Sequence, residues 1–192
     1  VIACHADRLP WVQAYLGPLD RDTLFSATTC ALLQTFVATG YQAMAGPHLK
    51  FICAGDTFRP SAPPDNITIE LITRTHLKNL YSHSGFKNAL SYQFDNPRPD
   101  MLATVARHRQ TVIGIAGASA DNDELWQIGV DVLAPYQGRG VGKALVSQLT
   151  AAILAEGKVP YYTTTVSNLR SSNLALGLGY WPAWIELYAR DK

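Results

Sequence analysis

The sequence predicts an α/β fold, in which helices flank a central β-sheet. Apolar and mostly β-branched residues at 126, 128, 130, 132 and 133 are typical of a buried strand, and Pro135 ends the run because proline lacks the N–H that a sheet ladder needs. A glycine-rich turn follows, and residues 143–157 then repeat apolar side chains at helical spacing up to Gly157. The stretch ITIELIT, at 67–73, alternates apolar and polar residues as a strand does.

The N-terminal part predicts two helices and one strand. The longer helix is amphipathic and runs from Asp20 or Asp22, either of which can cap it, to Gly40. Alternating apolar residues at 49–53 indicate the strand, and three prolines within 59–66 favour an extended connector. We therefore expect three parts: a helical extension with one strand at 1–57, packed on the main domain, a Pro-rich linker at 58–66, and the main domain at 67–192.

Strands and turns alternate through the first half of the main domain. A helix that Thr75 can cap follows the first strand. After an irregular stretch at 84–100, residues 101–120 predict two strands joined by a turn at 108–110. A polar turn at 121–123 then leads into the apolar strand described above.

The glycine-rich turn, Gln137 to Gly142, predicts an anion site. Backbone N–H groups at a helix start point outward and the helix dipole makes that end positive, so a phosphate can bind where glycines let it approach. Two common nucleotide motifs do not fit this spacing. The dinucleotide fingerprint needs a third glycine where Lys143 stands, and the Walker A loop needs Ser or Thr in place of Ala144.

The spacing Q-x-x-G-x-G, carried by Gln137, Gly140 and Gly142, resembles the GNAT superfamily of acyl-CoA-dependent N-acetyltransferases. Downstream, VPYYTTTVSNLRSSNLALGLGYWP is similar to the next strand of that family, its Ser-Asn pair, its short helix and its final L-G-[FY]. The resemblance covers about residues 67–192. It implies the GNAT fold, with a mixed, mostly antiparallel central sheet flanked by helices and here a small N-terminal α/β extension.

By the resemblance, the C-terminal half is expected to be one strand short of that fold. The family usually supplies two strands after the position of Tyr180, whereas residues 181–192 have the length for only one of useful size. We expect HLKFICAG, at 48–55, to extend or cover the sheet edge that is left.

The resemblance also implies a reaction and a cosubstrate. An acetyl group would pass from acetyl-CoA directly to a primary amine of a small molecule or peptide, with the pyrophosphate on the glycine turn and the pantetheine arm along the central strand. No metal is expected, because the 3 cysteines and 5 histidines show no ligand spacing. The residues implied for acetyl-CoA binding are Val130, Val132, Gln137, Gly138, Arg139, Gly140, Val141, Gly142, Lys143, Asn168 and Ser171.

Two familiar catalytic residues of the family are absent. Trp126 stands where some members have a basic glutamate, and Ala175 stands where many have a tyrosine that protonates the leaving thiol. Asp131 is the best candidate for a general base, because it lies on the central strand shortly before the glycine turn. The alternative is a structural carboxylate that hydrogen-bonds a neighbouring strand or loop. Weaker catalytic candidates are Glu186, Tyr161, Tyr162 and Tyr180.

The irregular stretch at 84–100 corresponds, by the resemblance, to the wall that faces the acceptor. It holds the aromatic residues Phe86, Tyr92 and Phe94, which we expect to bind substrate. The alternative is that each aromatic residue only anchors the loop to the core.

Composition is typical of a soluble globular protein, with 47% hydrophobic and 16% charged residues, and a net charge of +1 argues against a dedicated nucleic-acid binder. No apolar run approaches membrane-spanning length and no secretory leader is recognisable, so we expect a cytoplasmic protein without a membrane partner. The expected partner is an amine substrate, and a homodimer is an open option. Two other classes stay open: a module that binds acyl-CoA without turnover, and an interaction protein built around the N-terminal helices.

Overall fold

The computed structural model describes residues 1–83, 85–92 and 97–192. Within these residues the α-helices are α1 (Leu9–Tyr15), α2 (Arg21–Leu24), α3 (Ala27–Ala38), α4 (Val141–Ala155) and α5 (Leu169–Gly177). Short 3-10 helices lie at Ala6–Arg8, Arg74–Ser82 and Ala134–Tyr136. The strands are β1 (Gln42–Ile52), β2 (Ile67–Thr73), β3 (Asp100–His108), β4 (Thr111–Ala120), β5 (Leu125–Val132), β6 (Val159–Thr165) and β7 (Trp181–Asp191).

The strands form one sheet in the order β2-β3-β4-β5-β6-β1-β7. Strands β2 to β5 pair antiparallel in sequence order, β5 and β6 pair parallel, and β6 pairs antiparallel with β1. The predicted mixed, mostly antiparallel sheet is therefore confirmed. The expectation that the segment 48–55 extends the sheet is confirmed for residues 48–52, because His48 to Ile52 pair with β6 from Thr165 to Tyr161, whereas β1 ends at Ile52.

The contacts divide the chain into two compact units. One comprises Val1–Pro47 with Glu186–Lys192, and the other comprises His48–Ile185. The Pro-rich segment belongs to the second unit, in which the N–H of Arg59 donates to the carbonyl of Leu178 at 2.9 Å. The expected packing of the N-terminal extension on the main domain stays a prediction.

In the first unit, the single helix expected from Asp20 to Gly40 is divided into α2 and α3. The carboxylate of Asp20 caps α2 by accepting from the N–H of Thr23 at 2.8 Å. The hydroxyl of Ser26 caps α3 by accepting from the N–H of Thr29 at 3.2 Å. The second cap starts a new helix because it satisfies an N–H that has no partner within the helix.

In the second unit, helix α4 packs on one face of the sheet. Its side chains Leu145, Leu149 and Ile153 are fully buried and belong to the same apolar core as Ile128 of β5. The apolar spacing predicted for residues 143–157 therefore marks the buried side of this helix. The predicted end is confirmed, since α4 ends at Ala155 and Gly157 follows with a left-handed backbone.

A second apolar core lies under the 3-10 helix at Arg74–Ser82. It joins Leu77 and Leu80 of that helix to Phe86 and to Ile115 of β4. The expected helix thus forms, but with 3-10 rather than α-helical bonding, and the predicted cap was wrong, since the helix begins at Arg74 and Thr75 lies inside it. No helix in the described part of the chain is both long and apolar enough to cross a membrane.

Candidate functional site

Strands β5 and β6 separate halfway along their length and form a fork. Their parallel ladder runs from Leu125 paired with Val159 to Ile128 paired with Tyr162, yet both strands continue beyond the last pair. Residues 129–132 stay paired with β4 on their other side. Apart from the carbonyl of Val132, which accepts from the side chain of Gln137, the peptide groups of this stretch that point towards β6 can therefore bond an extended ligand. Val130 and Val132, predicted to hold the pantetheine arm, lie in this stretch.

The glycine-rich turn follows the open end of β5 and leads into α4. Gly138 and Gly140 have φ of 73° and 83°, a left-handed conformation that side-chain-bearing residues adopt only with strain. Gly140 is the N-cap of α4 and no side chain caps the helix there. The bond from the N–H of Ala144 to the carbonyl of Gly140, at 3.0 Å, begins the helix. The N–H groups of 141–143 precede this first bond and are available to an anion.

The side chain of Gln137 holds this turn in place. Its amide nitrogen donates to the carbonyl of Val132 at 2.9 Å, and its amide oxygen accepts from Arg170 at 3.4 Å. Gln137 therefore links the end of β5, the turn and the first turn of α5. The guanidinium of Arg139 lies 6.0 Å from the ring centroid of Tyr136, at the outer side of the turn.

Helix α5 begins beside the fork with the two residues predicted to contact the coenzyme. The side-chain oxygen of Asn168 caps the helix by accepting from the N–H of Ser171 at 3.2 Å. The side chain of Ser171 interacts with the phenol of Tyr162, the last residue of β6 before the strands separate, and lowers its pKa. Asn168 therefore orients the start of α5, and Ser171 connects that start to the fork.

Asp131 holds the 85–92 loop against the sheet. Its carboxylate accepts from the N–H of Asn88 at 2.6 Å, from the side-chain amide of Asn88 at 2.7 Å and from the N–H of Ala89 at 3.2 Å. Three donors on one carboxylate fix both its position and that of the loop backbone. These contacts support the structural alternative for Asp131, and its role as a general base stays a prediction.

Two glycines let the loop approach the strands. Gly117 and Gly129 face each other across β4 and β5, on the same side of the sheet as Asp131. A Cβ at Gly129 would overlap the carbonyl of Asn88, and a Cβ at Gly117 would overlap the carbonyl of Ala89. The loop backbone thus lies directly on the central strands beside the fork.

The aromatic residues predicted to bind substrate mainly anchor this loop. Phe86 is only 4% exposed and packs in the second core. The hydroxyl of Tyr92 donates to the carbonyls of His83 and Phe86, at 2.6 and 3.0 Å. Phe94 lies outside the described residues. The anchoring alternative explains Phe86 and Tyr92, whereas a role of the whole loop towards substrate stays a prediction.

A second carboxylate, which sequence reasoning missed, holds the far end of the loop. Asp100 is 2% exposed and accepts from the hydroxyl of Tyr81 at 2.8 Å and from the hydroxyl of Ser91 at 2.9 Å. Asn88 was missed as well. The only available signal for Asp100 was a carboxylate at the first residue of an apolar strand, and nothing in the sequence pairs it with Tyr81.

The two positions where the sequence departs from the GNAT pattern are buried. Trp126 is 6% exposed and Ala175 is fully buried, both in the core under α4. Among the weaker candidates, Tyr180 is bound to the hydroxyl of Thr150 at 2.6 Å, and burial raises the pKa of its phenol. Tyr161 donates to Asp121 and to the side-chain oxygen of Gln127. Across the described residues, no group of three or more His, Cys, Asp or Glu side chains could hold a metal ion.

A comparison with protein families identifies the family of this chain. The sequence model of the acetyltransferase (GNAT) family matches residues 69–180, which is more than half of the chain. The chain belongs to the GNAT family. The matched segment begins in β2 and contains the fork, the glycine turn and α5, so the features described above lie within the GNAT domain.

Solved GNAT structures share the fold. A GNAT-like protein from Streptococcus suis has a TM-score of 0.61 and 19% identity over 86% of this chain and 68% of its own. A GNAT protein from Kribbella flavida has a TM-score of 0.59 and 14% identity over 81% and 62%. A GNAT-family protein from Novosphingobium aromaticivorans has a TM-score of 0.56 and 20% identity over 77% and 65%. This chain thus spans about two thirds of the length of these relatives, and no curated protein matches its sequence.

Proposed function

We propose that this chain is an N-acetyltransferase that transfers the acetyl group of acetyl-CoA directly to a primary amine of a small molecule or peptide. The observation that carries the proposal is the continuity of three binding features along one strand. The open edge of β5 leads into left-handed glycines and then into the uncapped start of α4. An extended arm that ends in a pyrophosphate fits this series, because strand peptides bond the arm and helix N–H groups bond the phosphates.

The residues divide between holding the cosubstrate and organising its site. The N–H groups of 138–143 bind the pyrophosphate, and Lys143 and Arg139 add positive charge beside it. The peptide groups of 129–132 bind the pantetheine arm. Gln137 and Asn168 act indirectly, since the structure uses their side chains to hold the turn and the start of α5.

The reaction needs a neutral amine and a place for developing negative charge. An alkylamine with a pKa of about 10.4 is mostly protonated at neutral pH, so removing its proton costs about 4–5 kcal/mol at about 1.36 kcal/mol per pKa unit. A positioned base recovers roughly 10²–10⁴-fold in rate. The carbonyl oxygen of the acetyl group gains charge as the amine attacks, and a peptide N–H of Val130 to Val132 on the open edge can donate to it.

The 85–92 loop supplies the acceptor side of the site. It lies on Gly117 and Gly129, on the face of β5 opposite α4, and Asp131 holds it there. We propose that the loop positions the acceptor amine at the fork and that Asp131 fixes the loop. In the alternative role, Asp131 is the base that takes the amine proton, and its replacement then lowers kcat without releasing the loop.

A second function is a module that binds acyl-CoA without turnover. The burial of Trp126 and Ala175, at the positions of two familiar catalytic residues, favours it. A thiol-release assay with acetyl-CoA and a panel of amines, repeated with longer acyl-CoAs, separates the two. We expect amine-dependent thiol release. Tight acetyl-CoA binding without thiol release in the presence of any amine would instead support the binding module. Sedimentation of the same sample would test whether the chain forms a homodimer.

A further inference from the structure

Tyr162 occupies the branching point of the fork. It forms the last pair of the β5–β6 ladder with Ile128, and on its other side it is paired with Phe51 of β1. Its side chain is 4% exposed and belongs to the core under α4 and α5. Its ring meets that of Tyr180 edge to face, with 6.4 Å between the centroids. Tyr162 is thus buried at the place where a ligand between the strands would end.

The hydroxyl of Tyr162 reaches the face of α5 that carries Ala175. The hydroxyl interacts with the side chain of Ser171, and residues 171 and 175 lie one turn apart on the same face of the helix. Ala175 is fully buried in the same core as Tyr162. In many relatives a tyrosine at the position of Ala175 protonates the leaving thiol. In this chain the phenol of Tyr162, on strand β6, lies at the same face of α5.

The phenol of Tyr162 remains protonated at neutral pH. Burial raises its pKa above the usual range, the negative charge of Asp131 raises it further, and only the hydrogen bond with Ser171 acts in the opposite direction. A protonated hydroxyl at the fork is a donor, which is the form that stabilises a departing thiolate.

We propose that Tyr162 is a catalytic residue that hydrogen-bonds the sulfur of acetyl-CoA and protonates it as the thiol leaves. This inference rests on the proposed acetyl transfer. The amine nitrogen forms the new C–N bond, and the C–S bond breaks with its electron pair on sulfur. The sulfur takes the phenolic proton, and the phenoxide recovers a proton from the nitrogen through solvent. The products are the amide and the free thiol of CoA.

The first test compares two variants that each remove one buried hydroxyl from the core under α4. Tyr162→Phe removes the hydroxyl at the fork, whereas the control Thr104→Val removes a hydroxyl that donates to the carbonyl of Leu145 in α4 at 3.0 Å. We expect Tyr162→Phe to lower kcat by about 10²-fold or more with an unchanged Kd for acetyl-CoA. We expect Thr104→Val to keep kcat within about threefold, since its hydroxyl lies outside the fork and bonds only a helix carbonyl. A kcat for Tyr162→Phe within threefold of the original chain would overturn the proposal.

The second test moves the phenol back to the helix. The double variant Tyr162→Ala with Ala175→Tyr exchanges the two side chains at nearly constant volume, and its folding is checked by thermal melting. We expect it to recover at least tenfold over Tyr162→Ala. If the double variant folds but its kcat does not rise above that of Tyr162→Ala, the idea that Tyr162 takes the role of the helix tyrosine is contradicted. If the double variant does not fold, Tyr162→Phe alone decides.

A titration of bound CoA gives a readout that does not need turnover. Thiolate absorbance reports the pKa of the CoA thiol on the protein, and a donor beside the sulfur lowers that pKa. We expect it to lie higher on Tyr162→Phe than on the original chain. The same value on both proteins would overturn the contact. If CoA binds and the pKa differs but no amine is acetylated, the proposed function fails while the contact of Tyr162 with sulfur stands.

Discussion

Replacing Asp131 with asparagine separates its two candidate roles, because the side chain keeps its size but loses its charge. In the structure the carboxylate receives two donors from Asn88 and one from Ala89. An asparagine side chain has only one oxygen to accept these hydrogen bonds. Its NH₂ group is itself a donor, so it faces one of the loop N–H groups without bonding it. If Asp131 anchors the loop, Asp131→Asn releases the 85–92 segment.

The expected loss follows from the hydrogen bonds. A bond to a charged group contributes about 1.5–3 kcal/mol and a neutral one about 0.5–1.5 kcal/mol, and a donor left without a partner costs more where it is buried. The side chain of Asn88 is exposed, which places the total at the lower end, about 2 kcal/mol. Amide hydrogen exchange at Asn88 and Ala89 should then accelerate by about 30-fold, since about 1.4 kcal/mol is a factor of ten.

Exchange and turnover together decide between the roles. If Asp131 anchors the loop, we expect Asp131→Asn to speed up amide exchange at Asn88 and Ala89 and to raise KM for the amine. Asn88→Ala removes one of the three donors and should show smaller changes of the same kind. For a general base, kcat falls by about 10²-fold or more while exchange at Asn88 stays slow and Asn88→Ala keeps full kcat. Unchanged exchange in Asp131→Asn would refute the anchoring role.

The other predictions concern the loop cradle, the anion site and the sheet edge. Gly129→Ala should lower the free energy of unfolding in urea by about 1–3 kcal/mol, because the new methyl group overlaps the carbonyl of Asn88. The control Gly55→Ala places its methyl group in open space and should change that free energy by no more than about 0.5 kcal/mol. Equal unfolding midpoints for the two variants would contradict the close approach of the loop to Gly129. Gly140→Val should abolish measurable acetyl-CoA binding in calorimetry, because valine is strained in the left-handed backbone conformation of position 140. A folded variant that binds acetyl-CoA with the original Kd would exclude this turn as the phosphate site. A fragment that begins at Asp65 lacks β1 and exposes the edge of β6, so we expect it to aggregate or unfold. If the fragment were soluble, melted at the original temperature and kept full activity, the N-terminal segment would be a separate module.

The local features of this chain were determined by its sequence alone. The left-handed turn needs glycine at 138 and 140, and α4 needs an apolar stripe and a glycine after its end, so both could be predicted from neighbouring residues. The strands β2 to β6 follow from alternating or continuous apolar runs in the same way. The division of α2 from α3 at Ser26 was missed, because a serine between two apolar stretches can either continue a helix or cap a new one.

The functional arrangement was decided by tertiary structure. Asp131 and Asn88 are 43 residues apart, and their contact depends on two glycines in different strands that open the face of the sheet. The fork exists because β5 and β6 stop pairing after Ile128, although both have residues that could continue the ladder. The sequence can mark each residue as polar, apolar or small. The partner across a sheet depends on register and on which segments pack over it, and these are set by the whole chain at once, because no single segment buries its apolar face by itself.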